Sequence, residues 1–160
     1  MRDIQRILVG IDYSEYSREA ARHAVYLAKA VGASVDFLHV SDLPVYMGPG
    51  YGPYQLDQLK SHLANQQEKE RTDLDEIKRF VAEFEKDAVP FRYFVTADNA
   101  PSEIIRVARE MRSDLIVIGT HGRAGLSQIL LGSVAEKVVR KAACPVLTVK
   151  LTNHPFLMTS

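Results

Sequence analysis

The chain has 160 residues, 46% hydrophobic and 25% charged, with 20 Lys plus Arg balanced by 20 Asp plus Glu. That length favours one domain that buries a core without staples, and the zero formal net charge argues against the clustered basic excess of a nucleic-acid binder. One cysteine, Cys144, excludes a disulfide framework; no apolar run reaches the roughly 18 residues of a membrane span, and the start, MRDIQRILVGID, lacks a signal-peptide pattern, so a cytoplasmic protein without nucleic-acid partner or membrane insertion is expected.

Residues 7–11 (ILVGI) form a nearly continuous apolar run, the pattern of a strand buried on both faces of a parallel sheet. Ser14 can cap a helix in which Ala20, Ala21, Ala24, Val25, Leu27, Ala28 and Val31 recur at helical spacing, and Gly32 supplies a stop. Residues 34–40 (SVDFLHV) read as a second strand. The next stretch, 41–54, holds three glycines, three prolines and three tyrosines. It marks an irregular loop, either a plain connection or a lid over a site.

Residues 55–86 are helical in pattern. Their polar middle, ANQQEKERTD, predicts either a helix end projecting past the sheet or a break between two helices, and the charges of QQEKERTDLDEIK read as a solvated face. Residues 89–95 are a third strand. Pro101 opens a helix at a position where its missing N–H is harmless, with Ile104, Ile105, Val107, Ala108 and Met111 as its apolar face. Residues 114–119 form a fourth strand, 133–142 a helix and 144–149 a fifth strand; beyond Leu151 no pattern is visible.

This alternation predicts an α/β fold: a single doubly wound, open, parallel five-stranded sheet with helices on both faces. With strand order 3-2-1-4-5, the order reverses between strand one, ending at Asp12, and strand four, ending at Gly119. Ligands bind such sheets in the crevice beyond the carboxyl ends at that reversal.

The segment GTHGRAGLSQILLGSVAEK places four glycines, Gly119, Gly122, Gly125 and Gly132, within fourteen residues. It lacks the Gly-Lys pair of a P-loop, and no G-x-G-x-x-G follows the first strand. Backbone N–H groups in a glycine loop nevertheless suit an anion. Gly132, Ser133 and Val134 add a helix start with unpaired N–H groups and a positive dipole end. Ser133 can cap that helix or bind phosphate through its hydroxyl. The plainer reading is that the glycines make tight turns and let the helix approach the sheet. Asp12 fits a turn or a ligand contact, and Arg123 fits phosphate steering or simple exposure. His121 has no orienting partner or nucleophile evident in the sequence, so no catalytic residue is assigned. His39 reads as a satisfied core residue and Cys144 as structural.

GTHGRAGLSQILLGSVAEKVVRKAACPVLTV resembles the C-terminal signature of the universal stress protein family, whose nucleotide-binding branch carries G-x2-G-x9-G-Ser/Thr. Gly119, Gly122, Gly132 and Ser133 match without a gap, and ILVGIDYSE, LHV, PSEIIRVA and DLIVIGTHGR match other blocks in order. The resemblance implies a flavodoxin-like, or Rossmann-like, sheet of order 3-2-1-4-5 and a nucleotide-binding domain over residues 1–150 followed by a 151–160 tail. It implies ATP, or ADP or AMP, in the crevice, with Mg²⁺ or Mn²⁺ held through the phosphates and no metal-ligating side chain. It further implies a homodimer through the last strand at Val146, Leu147 and Val149. Carried over, Asp12 contacts the ribose, Ile11 next to it counts among the nucleotide-binding residues, and the main chain at Val40 reads adenine. Gly119, Gly122, Gly132, Ser133 and Val134 hold the phosphates, with Arg123 beside them. Family members often have Ser or Thr where this chain has Ala135, and the missing hydroxyl leaves the choice among ATP, ADP and AMP open. The implied function is a nucleotide-dependent stress-response module with at most slow hydrolysis. The alternatives are a slow ATPase or nucleotide-dependent transferase, against which the absence of Lys from the glycine loop counts, and a nucleotide-free homodimeric interaction protein.

Overall fold

The computed structural model describes residues 3–41, 55–122 and 131–151, with side chains of the helix that starts at Gln55 described from residue 64 onward. The 42–54 loop, Arg123, Gly125 and the 152–160 tail lie outside the described residues.

In chain order the elements are β1 (Arg6–Ile11), α1 (Glu15–Val31), β2 (Ser34–Ser41), α2 (Gln55–Val81) with a 3₁₀ extension (Ala82–Asp87), β3 (Phe91–Ala97), α3 (Ala100–Glu110), β4 (Leu115–Gly119), α4 (Ser133–Lys141) and β5 (Val146–Val149). The strands form one parallel sheet in the order β3-β2-β1-β4-β5, as expected. Because side chains alternate along a strand, β1 feeds two cores. Ile7, Val9 and Ile11 join the alanines of α1 and Ile77, Phe80 and Val81 of α2. On the other face Leu8 joins Ile116 and Ile118 of β4, Ile104 and Val107 of α3, and Val138 of α4. Both faces are covered, which is why these strands are apolar throughout rather than alternating.

α1 begins and ends as its sequence indicates. The Ser14 side chain accepts from Ser17 N, and Gly32 closes the helix at φ 74°, a left-handed conformation natural to glycine. α2 is unbroken over 27 residues, about 40 Å at 1.5 Å per residue. Its buried described residues are Asp73, Ile77, Phe80 and Val81, so the polar segment before them projects past the sheet. Two strands start later than their apolar runs. β3 starts at Phe91 rather than Val89, and β5 at Val146 rather than Cys144. Each follows a proline, which has no N–H for the ladder. Pro90 and Pro145 still lend their carbonyls, to Val35 N (2.9 Å) and Ile116 N (3.0 Å). At the amino edge of the sheet the Asp36 carboxylate, 1% exposed, receives the Arg92 guanidinium as a fork of two 2.9 Å bonds. Among the described residues no helix is long and apolar enough to cross a membrane.

Candidate functional site

The carboxyl edge of the sheet is stepped. The β1–β2 ladder stops at Ile11 opposite His39, whereas β2 pairs with β3 as far as Ser41 opposite Ala97. Val40, half-buried, therefore stands past the end of β1. On the other side β1 pairs with β4 only to Val9 opposite Val117. Ile11 and Gly119 thus flank the point where strand order reverses. Ile11 enters this region by its backbone alone: its side chain is in the α1/α2 core and its carbonyl lies 2.9 Å from His39 Nδ1.

Asp12 follows at once. Its Oδ1 accepts from Ser14 N (3.0 Å) and from Ser14 Oγ, so one oxygen performs the turn role. Its Oδ2 faces Gly122: a Cβ on Gly122 would lie 2.6 Å from it. Tyr13 holds a left-handed backbone at φ 65°. Its ring centroid is 4.5 Å from that of His39 and its hydroxyl donates to Asp73 O (3.4 Å).

The glycines of the β4–α4 connection are there for space. A Cβ on Gly119 would lie 2.8 Å from Tyr16 Cβ, and one on Gly132 would lie 2.8 Å from Thr120 O. Neither has positive φ; among the described glycines only Gly32 does. The tight-packing reading of this motif therefore has a direct steric cause. Gly132 N donates to Thr120 O (2.7 Å), which fixes the start of α4 against the end of β4.

That start is bare. Gly132 is the N-cap residue, extended at φ −60° and ψ 153°, and among the described residues no side chain caps the helix. Ser133 is the exposed first helical residue rather than the cap. The first intrahelical bond runs from Glu136 N to Gly132 O (2.9 Å), so the first-turn N–H groups from Ser133 onward have no intrahelical acceptor. Val134 packs on the α3/α4 core. Ala135, 2% exposed, belongs to that core. A Ser or Thr hydroxyl there would be buried among apolar side chains.

Beside Asp12 a cavity of about 560 Å³ opens toward α2, walled by Asp12, Tyr13, Tyr16, Glu15, Glu76 and Gly122 among others. It does not reach Val40, Gly132 or Ser133, so it lies on the α1/α2 side of Asp12 while the bare helix start lies beyond. Glu76 and Asp73 correct the reading of their segment as a wholly solvated face: Glu76 is half-buried and Asp73 is 8% exposed. The available signal was phase, since Asp73 stands four residues before Ile77 and shares its buried side. Tyr13 and Tyr16 carried no such signal.

His121 packs on Tyr16 at 5.1 Å between ring centroids and places Nδ1 3.1 Å from Thr120 Oγ1. Cys144 is a free, half-buried thiol whose pKa burial pushes up, favouring the protonated form. No group of three or more His, Cys, Asp or Glu able to hold a metal occurs among the described residues. At β5, Val146 and Leu147 are half-buried, while Val149 is spent in the core at 5% exposed.

A family model described as the universal stress protein family matches residues 3–150. Universal stress protein MJ0531 of Methanocaldococcus jannaschii is 37% identical over 147 residues, covering 91% of this chain and 82% of that one. The solved structure of MJ0577, from the same organism, superposes with a TM-score of 0.78 at 25% identity, covering 96% of this chain and 100% of its own. A universal stress protein from Archaeoglobus fulgidus, solved in complex with dAMP, shares the fold with a TM-score of 0.57 at 24% identity, covering 93% of this chain and 100% of its own.

Proposed function

The chain belongs to the universal stress protein family, and from that premise we propose that it is a cytoplasmic nucleotide-binding module of the stress response, with at most slow hydrolysis. The observation that carries the reading is the uncapped start of α4 facing the same reversal point as Asp12, whose Oδ2 lies against a glycine.

Each part has a physical task. The orphan N–H groups from Ser133 to Ala135, at the positive end of the helix dipole, suit phosphate oxygens, and the Ser133 hydroxyl adds a donor. Gly119, Gly122 and Gly132 let the backbone of the phosphate loop sit at contact distance from Tyr16, Asp12 and Thr120. Asp12 Oδ2 accepts from ribose hydroxyls while Ser14 holds Oδ1. The main chain at Val40, past the end of β1, meets the base. A Mg²⁺ or Mn²⁺ ion would be held through the phosphates of the bound nucleotide and would offset their charge. Arg123 is assigned beside the phosphates on the motif alone. That a protein of this fold is solved with dAMP supports an adenine nucleotide as the class.

The test is isothermal titration with ATP and Mg²⁺, repeated with ADP and AMP. Saturable heat and a rise in melting temperature are expected; neither effect at millimolar nucleotide would sink the reading. The family also suggests a homodimer, which we assign to the outer backbone edge of β5 with Val146 and Leu147. Light scattering at micromolar concentration checks it, and a monomer there rejects it.

A further inference from the structure

We propose that His39 is a positioning residue: from the neighbouring strand it holds both residues that flank Asp12, and so sets the angle at which the Asp12 carboxylate meets a ribose. The inference rests on the ribose role proposed for Asp12.

Two contacts converge on one imidazole. His39 is buried and its Nδ1 lies 2.9 Å from Ile11 O. A carbonyl only accepts, so Nδ1 is the donor and carries the proton. The ring of His39 also packs against that of Tyr13, with centroids 4.5 Å apart and planes inclined at 37°. Ile11 and Tyr13 are the residues immediately before and after Asp12. Tyr13 is the one under strain. Its φ of 65° costs a non-glycine residue about 1 kcal/mol or more, and such a conformation persists only where its surroundings enforce it. Those surroundings include His39 on one side, Phe80 at 5.8 Å, and Asp73 O, which accepts from the Tyr13 hydroxyl.

An apolar residue would fill the same volume without burying a ring nitrogen, which costs free energy unless it is partnered. The partner found is the last carbonyl of β1, at the point where the ladder gives out. His39 therefore ends the strand and supports the turn at once. Asp12 Oδ1 is tied to Ser14, so the direction of Oδ2 follows from the backbone of residues 11–13, which His39 holds at both ends.

The test uses the full chain, two ligands and conservative variants. ATP and 2′,3′-dideoxy-ATP differ only in the ribose hydroxyls, so the ratio of their affinities isolates the Asp12 contact. His39→Phe keeps the ring and removes the donor; His39→Asn keeps a donor near the Nδ1 position and removes the ring. His39→Phe should lower the ATP to dideoxy-ATP ratio about tenfold, the scale of one charged hydrogen bond. Adding Asp12→Ala to it should then change the ratio no further. His39→Asn should recover part of the ratio. Equal losses for both nucleotides, or no loss, would overturn the proposal. Wild type that binds neither nucleotide rejects the nucleotide reading instead. The clamp is then judged separately by NMR shifts of Asp12 and Tyr13 in ligand-free protein: they should move toward ordinary extended or helical values in His39→Phe, and unchanged shifts refute it. Should His39→Phe not fold, Tyr13→Gly, which accepts φ 65° but has no ring, should lower the ratio as well, and an unaltered ratio there counts against the clamp.

Discussion

The β1–α1 and β4–α4 junctions face each other across the reversal of strand order and are built on opposite plans. The first is crowded with side chains: Asp12 binds Ser14, Ser14 caps α1 through Ser17 N, and Tyr13 is pinned by its ring. The second is made by removing them, with glycine at 119, 122 and 132 and no cap on α4. A helix start that caps itself has donors satisfied and offers a ligand little; a bare one keeps them for whatever arrives. Placed together, the pair supplies a fixed carboxylate on one wall and unspent donors on the other.

The largest effect is expected from forcing side chains onto the bare side. Gly132→Val puts atoms within 2.8 Å of Thr120 O, so it should cost about 1–3 kcal/mol of stability and abolish nucleotide heat. Chemical denaturation and calorimetry check both; an unaltered midpoint would show that the junction yields. Next, Ser14→Ala strips the crowded side of its cap and should cost about 1 kcal/mol, read as a lower denaturation midpoint at unchanged slope. Ser133→Ala sharpens the contrast because Ser133 caps nothing. Its stability should stay within about 0.5 kcal/mol, while nucleotide affinity falls severalfold by titration. A stability loss matching that of Ser14→Ala would erase the distinction between the two starts.

The smallest effect lies at a third helix start, that of α3. There Arg106 holds the Glu103 carboxyl below the usual range against the opposing effect of burial. A depressed folded pKa means stability present above the ordinary Glu range and lost as pH falls through the folded value. Glu103→Gln should therefore lower stability slightly at neutral pH, flatten the acid limb of a stability profile and leave its most acid end nearly untouched; parallel profiles for the two proteins would refute the assignment.

The strands and the two junctions were legible in the sequence because burial on both faces leaves uninterrupted runs such as ILVGI and DLIVIG, and because Ser14 and Gly32 punctuate α1; their order came from the family resemblance. The family signature located the crevice. Strand starts were misjudged by two residues at Pro90 and Pro145, where apolar composition continues but donors do not. The cavity wall from α2 was hidden because Glu76 sits inside a charged run whose partner surface at residues 12–16 is about 60 residues away in the chain. His39 looked like an ordinary core residue; its second attachment, to the ring after Asp12, exists only once strand and turn are folded together.

The step at the carboxyl edge has one further consequence. Where β2 runs on past β1, at Val40 and Ser41, the surface presented to the crevice is made of peptide groups, which every residue except proline carries in the same form. If the base is read at that ledge as proposed, the contact is invisible to alanine scanning: replacing Val40 alters its flank and leaves the peptide groups intact. Only changes to the chain itself, a proline or an amide-to-ester exchange, would register there.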